Sequence, residues 1–183
     1  VAEVAPSKLT ASERPMRNKF LGVGEPGYDP MRKLRTILAG LRYAVLSGGK
    51  RVRPIFTLAA CRAVKGDPKK VLPAACALEL VHSYSLIHDD LPCMDDDDFR
   101  RGRPSCHKKF GEATALLAGD ALLTLAFHIL AQKNGNPARQ LESIRWIAES
   151  IGTRGMVGGQ AVDMEFQKKT PNKATLQFIN TRK

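Results

Sequence analysis

The sequence predicts an all-α fold. Three observations carry that prediction. Apolar residues recur with helical spacing, as in Leu34, Ile37, Leu38, Leu41 and Val45. Gly and Pro fall between such stretches, at Ser47-Gly48-Gly49, Gly66-Asp67-Pro68 and Asn134-Gly135-Asn136-Pro137, where helices stop and start. No segment shows the alternating period of a half-buried strand, and no internal repeat is evident. Long helices joined by short loops make a helical bundle.

Each element follows in order. Residues 1–33 carry several Pro and Gly without a clear period and read as an irregular lead-in. The first twenty residues lack the apolar centre of a secretory signal. Residues 34–46 form the first helix, and Pro54 suits the first position of a second over 55–64. Pro73 suits the start of a third, which runs to Asp90 and is apolar on nearly every side: Ala74, Ala75, Cys76, Leu78, Leu80, Val81, Leu86 and Ile87. A helix apolar all round belongs at the centre of a core. Pro92 interrupts it. A second long apolar helix spans 112–132, and an amphipathic one spans 138–151. Gly155, Gly158 and Gly159 allow a break or a close helix contact before a helix over 160–168. Thr170-Pro171-Asn172 opens a last helix that runs to the end at Lys183.

Composition narrows the function classes. With 183 residues, 43% hydrophobic and 26% charged, the chain suits one globular domain. No uninterrupted apolar run reaches the roughly 18 residues of a spanning helix, so stable membrane insertion is not expected. Cys61, Cys76, Cys93 and Cys106 show no CxxC spacing, which argues for free thiols over a zinc site or disulfide framework. A net charge of +11 first suggests nucleic acid. Aromatic residues are only 6%, so stacking platforms are few, and six of the eighteen acidic residues lie within 89–98. A basic chain with one acidic knot suits small polyanions held through a metal, not nucleic acid.

The acidic knot is His88-Asp89-Asp90-Leu91-Pro92-Cys93-Met94-Asp95-Asp96-Asp97-Asp98. Asp89 and Asp90 end an apolar helix, where the helix dipole disfavours negative charge by up to about 1 kcal/mol. Nothing in stability explains the cluster unless a cation neutralises it. Carboxylate oxygens with open positions favour magnesium completed by phosphate oxygens. Asp89 and Asp95 are too far apart for neighbours on an unbroken helix, and Pro92 permits a bulge that brings Asp95 back beside Asp89. The plainer alternative is a solvated acidic loop, which growth out of a core helix argues against.

Basic residues flank the knot. Arg100-Arg101-Gly102-Arg103-Pro104 follows it, and Gly48-Gly49-Lys50-Arg51-Val52-Arg53-Pro54 precedes it. Arg forks and Lys point charges hold phosphates. Alone, basic residues at helix boundaries are commonly just solvated. Together with the knot they make a two-pole site, with metal-bridged phosphate at one pole and bare phosphate at the other. His82 lies two helical turns before Asp89 and shares its face. Asp120, inside an apolar helix, reads as a buried carboxylate with a structural partner.

These pieces, in this order, resemble the trans-isoprenyl diphosphate synthases. GGKRVRP, ELVHSYSLIHDDLPCMDDDDFRRGRPSCH, FGEATALLAGDALLTLAF and GMVGGQAVDM carry the resemblance, which runs from about Leu41 to Lys183. It implies an isoprenoid-synthase-type helical bundle around a central apolar cavity. Residues 34–183 correspond to the N-terminal part of that single domain. Family members continue to a second aspartate-rich motif on a later helix. The resemblance also implies a homodimer whose contacts include the helix over 112–132. The expected location is cytoplasmic, with a plastid as the alternative.

Carried over residue by residue, Asp89 and Asp95 would bind Mg2+, with Asp90 and Asp96 in support. Arg100 and Lys183 would meet the allylic diphosphate. Lys50, Arg53, His82 and Arg101 would hold isopentenyl diphosphate. The implied reaction joins isopentenyl diphosphate to dimethylallyl or geranyl diphosphate and releases diphosphate. Tyr84 and Ser85, one turn before Asp89, should line the tunnel for the growing tail. An aromatic residue at the position of Tyr84 resembles bacterial-type farnesyl diphosphate synthases. The alternatives are a geranylgeranyl diphosphate synthase and a non-catalytic partner subunit. A terpene cyclase, which holds no second diphosphate, has no need of GGKRVRP or Arg101.

Overall fold

A computed structural model describes residues 29–183, apart from Asn134 and Lys168. Among the described residues the architecture is helical, with one two-stranded ribbon. In order it runs α1 (Pro30–Leu46), α2 (Val52–Ala63), α3 (Pro68–Asp89), β1 (Phe99–Arg100), β2 (Arg103–Pro104), α4 (Cys106–Phe110), α5 (Glu112–Ala131), α6 (Pro137–Ile151), α7 (Met156–Phe166) and α8 (Lys173–Arg182). The first 28 residues of the expected lead-in lie outside the described residues. The remainder of it belongs mostly to α1, which Asp29 caps by accepting a hydrogen bond from the Met31 N–H.

α3 is the spine. It packs against α5 most extensively, then against α2 and α1. Ala77, Val81, Tyr84 and Ile87 of α3 meet Ala115, Ala118, Leu122, Ala126 and Leu130 of α5 in one core. Alanines at the crossing let the two helices approach closely, and Leu122 fills the gap with no exposure at all. α1 contributes Leu41, Ala44 and Val45 from its partly buried side, while Leu34 and Leu38 of its apolar pattern stay half exposed.

Several expected boundaries shift for physical reasons. α3 starts at Pro68, not Pro73, because Asp67 caps it through the Lys69 N–H and Pro68 occupies its first turn. Pro73 is carried inside the helix. α2 starts at Val52, after Arg51 adopts a left-handed conformation at φ 52°, so Pro54 lies inside its first turn. α7 starts at Met156 and includes Gly158 and Gly159 instead of breaking there. A side chain at Gly159 would meet the backbone of Arg182 and Lys183 within 3 Å, so this glycine admits the end of α8. Asn172 caps α8, as the Thr170-Pro171-Asn172 signal predicts.

The ribbon is the element the sequence reading does not anticipate. Phe99 pairs with Pro104 and Arg100 with Arg103 in antiparallel register. Arg101 and Gly102 form its two-residue turn at φ 55° and 75°, the two positive values of a hairpin turn that follows strand twist. α3 and α5 are each long and apolar enough to cross a membrane by length and composition alone, a point that counting uninterrupted apolar runs misses. In the fold they pack on each other. All four cysteines are free.

Candidate active site

The site grows from the C-terminal end of α3. Asp90 caps the helix through its N–H to the Leu86 carbonyl. The chain then folds back. The Met94 and Asp96 N–H groups both donate to the Leu91 carbonyl, at 2.8 and 3.2 Å, and the Asp95 N–H donates to the Asp89 carbonyl at 2.9 Å. Asp96 turns through φ 52° to complete the reversal. Pro92 cannot continue the helical ladder, and the result is the expected return of Asp95 to Asp89.

Carboxylates crowd there. Burial raises the Asp89 carboxyl above its usual range, and the charges of Asp95 and Asp90 push the same way, while Lys183 and Arg100 oppose. Asp95 is exposed and accepts a hydrogen bond from the Gln167 amide at 2.7 Å. Oxygen donors crowded together against their own repulsion are the donor set a hard divalent cation requires.

Asp90 and Arg100 depart from the sequence expectation. Asp90 is almost fully buried and bonded to Arg100, whose Nε donates to Oδ1 at 2.9 Å. A second Arg100 nitrogen serves Asp90 and Asp97. Asp90 is therefore not an open metal donor in this structure, and Arg100 lines neither of the two large clefts. A carboxylate buried at that depth needs a bidentate partner, and Arg100 is the cation within reach. Asp96 points away from Asp89, toward His107.

Two clefts meet beside this turn. One, of about 560 Å3, is lined by Gly49, Lys50, Arg51, Arg53, His82 and Arg101 among others. The other, of about 500 Å3, is walled mostly by apolar groups from α3 and α7, including Tyr84, Leu86, Met94, Met156 and Met164, with Ser85, Asp89 and Lys183 also lining it. Arg53 and His82 line both. The two poles expected from sequence thus share a boundary.

The basic cleft is held open by its own contacts. The Arg101 guanidinium, presented by the hairpin turn, donates to the Gly48 carbonyl. Gly49 sits at φ 120°, a conformation that side-chain-bearing residues rarely adopt, and a side chain there would have to displace that guanidinium. Arg51 reaches inward to Glu79, which is buried on α3, and to the Val45 carbonyl. The sequence names Arg51 only as one of a basic run and leaves Glu79 unassigned; a charged residue on the buried side of an otherwise apolar helix is the signal for their pairing. Burial, with the Arg53 and Arg101 charges behind it, lowers the His82 imidazole from 6.5 to about 4.

In the apolar cleft Tyr84 is nearly buried and stacks edge-on against His88, with ring centroids 5.6 Å apart. Ser85 hydroxyl donates to the His82 carbonyl. Lys183 pairs with Asp163 of α7. The Gln160 amide nitrogen is buried at the cleft wall without a hydrogen-bond partner. Asp163, Gln160 and Gln167 went unassigned in the sequence, although the first two lie within the quoted GMVGGQAVDM. Asp120 is a correction: its side chain is largely exposed on α5, with His88 3.8 Å away, because the face of α5 opposite the core is uncovered.

Comparison with known proteins shows the family. The polyprenyl synthetase family model matches residues 35–183, and the chain belongs to that family. It is 49% identical over 160 residues to geranylgeranyl pyrophosphate synthase 11, chloroplastic, of Arabidopsis thaliana, covering 84% of this chain and 45% of that protein. It is 47% identical over 166 residues to the heterodimeric geranylgeranyl pyrophosphate synthase large subunit 1, chloroplastic, of the same plant, covering 88% and 44%. Among solved structures, it resembles an FPP/GFPP synthase from Zymomonas mobilis, with a TM-score of 0.76, 41% identity and coverage of 90% of this chain and 59% of that one. A geranyltransferase from Legionella pneumophila gives 0.74, 35%, 91% and 58%. The chain spans less than half the length of these curated relatives.

The His82 environment has a measurable consequence. Unfolded, the imidazole titrates near 6.5. Between about 4 and 6.5 the unfolded chain binds more protons than the folded one, so this group removes stability as pH falls through that window. Thermal denaturation at pH 7 and pH 5 should show a smaller acid-induced loss in His82→Gln than in the wild type. An equal loss in both would place the pH dependence elsewhere.

Proposed function

We propose that the chain forms the substrate-binding half of a prenyltransferase that condenses isopentenyl diphosphate with an allylic diphosphate. One observation carries this reading: a basic cleft and an apolar, carboxylate-rimmed cleft meet at Arg53 and His82. One diphosphate, of isopentenyl diphosphate, would sit among Lys50, Arg53 and Arg101. Neutral His82 stands at the boundary as a hydrogen-bonding group. The allylic diphosphate would sit at the Asp89 pole with its tail in the apolar cleft.

Asp89 and Asp95 would hold Mg2+, which when bound supplies Lewis-acid charge to the allylic diphosphate. Asp96 is not needed at that pole, and Asp90 acts by fixing Arg100. Breaking the allylic C–O bond sends its electron pair onto the departing diphosphate. Lys183 and Arg100 add fixed positive charge near Asp89, where that negative charge develops. The isopentenyl double bond then forms the new C–C bond, and loss of a proton leaves a chain five carbons longer. Tyr84, Met94, Met156 and Met164 keep water from the allylic cation.

For product length we favour farnesyl diphosphate, because a bulky aromatic side chain, Tyr84, lines the apolar cleft about one turn before Asp89. The FPP/GFPP synthase relative fits that choice. The plant relatives, named geranylgeranyl pyrophosphate synthases, favour the C20 alternative. Their chloroplastic names support a plastid over the cytoplasmic default. For assembly we propose a homodimer through α5, whose Leu116 and Leu117 stay half exposed. The heterodimeric large-subunit relative supports the alternative of a mixed pair.

The activity test uses a chain of the relatives' length containing these residues, incubated with isopentenyl and geranyl diphosphates. A C15 product that forms with Mg2+ and disappears with chelator is expected; no product under either condition would favour a non-catalytic partner subunit. In the same chain, Tyr84→Ala should shift product toward C20 or longer by opening the cleft floor. Unchanged C15 output from that variant would remove Tyr84 from chain-length control.

A further inference from the structure

The four consecutive aspartates split. Asp95 reaches Gln167 and Asp97 reaches Arg100, whereas Asp96 and Asp98 converge on His107 of α4. One ligand atom from each of Asp96, Asp98 and His107 lies within 4.8 Å of the other two. Acidic residues on a loop commonly cluster without consequence. His107 is what sets this cluster apart.

His107 is 5% exposed, and its Nε2 is buried with no hydrogen-bond partner. The nearest carboxylate oxygen, Asp96 Oδ1, is 4.0 Å away, too far for a hydrogen bond. Its Nδ1 lies 3.0 Å from the buried Ser105 hydroxyl. A ring that donates Nδ1–H to Ser105 Oγ leaves the Nε2 lone pair aimed into the cluster. That is the arrangement by which an outer partner orients a metal-binding imidazole. An orphaned buried nitrogen is costly in a native fold, so it calls for a ligand.

We propose that His107, Asp96 and Asp98 form a second cation site, separate from the Asp89 pole and suited to a divalent transition ion such as Zn2+. One imidazole and two carboxylates favour zinc-type ions over magnesium, whose preferred donors are all oxygen. Tetrahedral zinc at about 2.0–2.1 Å from each ligand sets ligand atoms about 3.3 Å apart. The cluster, whose ligand atoms lie within 4.8 Å of one another, must therefore close by up to about 1.5 Å. His107 is fixed by burial, while both aspartates sit on the exposed turn and can move. Lys108 Nζ holds Asp98 Oδ1 at 2.7 Å; both groups are exposed, and the carboxylate has a second oxygen to offer. A bound ion would tie the turn carrying Asp95 to α4.

Co2+ serves as a spectroscopic probe, titrated into the purified protein in excess Mg2+ and without any diphosphate. One Co2+ per chain with a visible absorption band is expected. The band should persist in the Asp89→Asn/Asp95→Asn double variant. Binding should weaken at least about tenfold in His107→Gln and in Asp98→Asn. Asp98 is exposed, so circular dichroism of that variant should match the wild type and keep the test open if His107→Gln does not fold. Absence of the band in the wild type overturns the proposal. So does a band lost in the double variant but retained in folded Asp98→Asn. Neither result depends on prenyl transfer.

Discussion

The structure turns on the repulsion between carboxylates gathered at the end of α3. Asp89 stands half-buried at a helix C-terminus, where both the dipole and loss of water disfavour its charge. The backbone reversal at Leu91 then brings Asp95 toward it through the Asp95 N–H bond to the Asp89 carbonyl. Stability alone would separate these groups. The fold instead surrounds them with cations: Arg100 on Asp90, and Lys183 arriving on α8. The closeness of α8 depends in turn on the missing side chain of Gly159.

α3 is able to carry this load because its middle is tightly anchored. Its packing against α5 relies on small residues and on Leu122, and its buried Glu79 is matched by Arg51 from the loop before α2. That ion pair positions Lys50 of the loop and Arg53 of the first turn of α2 alongside His82. The hairpin adds Arg101 from the other side, braced on the Gly48 carbonyl. A single helix thus presents the acidic pole at its end and the wall of the basic cleft two turns earlier. The two clefts adjoin because Arg53 and His82 belong to both.

Much of this was legible in the sequence. The helical spacing and the Gly and Pro punctuation identified the main helices, and Pro92 explained how Asp95 could rejoin Asp89. Partnerships were less legible. Asp90 and Asp89 are adjacent in sequence, yet one is paired inside with Arg100 and the other faces a cleft, a difference fixed by which way the helix end rotates. The Arg101-Gly102 turn lies within a basic run whose charge masked its hairpin character. Asp120 was read as buried because its neighbours in sequence are apolar, but one face of α5 is uncovered, and Asp120 lies on it. Pro73 reads as a start signal because proline suits a first helical turn, but the capped start at Asp67-Pro68 precedes it and the helix carries Pro73 inside.

The claim that Asp89 is held against repulsion for the sake of a cation and a diphosphate has a direct test. Thermal unfolding of the wild type and Asp89→Asn is compared at pH 7, in chelator and then with Mg2+ and inorganic diphosphate. In chelator, Asp89→Asn should melt at a higher temperature, because burial and the neighbouring Asp95 and Asp90 charges no longer act against a carboxylate there. With Mg2+ and diphosphate the wild type should gain stability and the variant little. A variant less stable than the wild type in chelator, or one that responds fully to Mg2+ and diphosphate, would contradict the account.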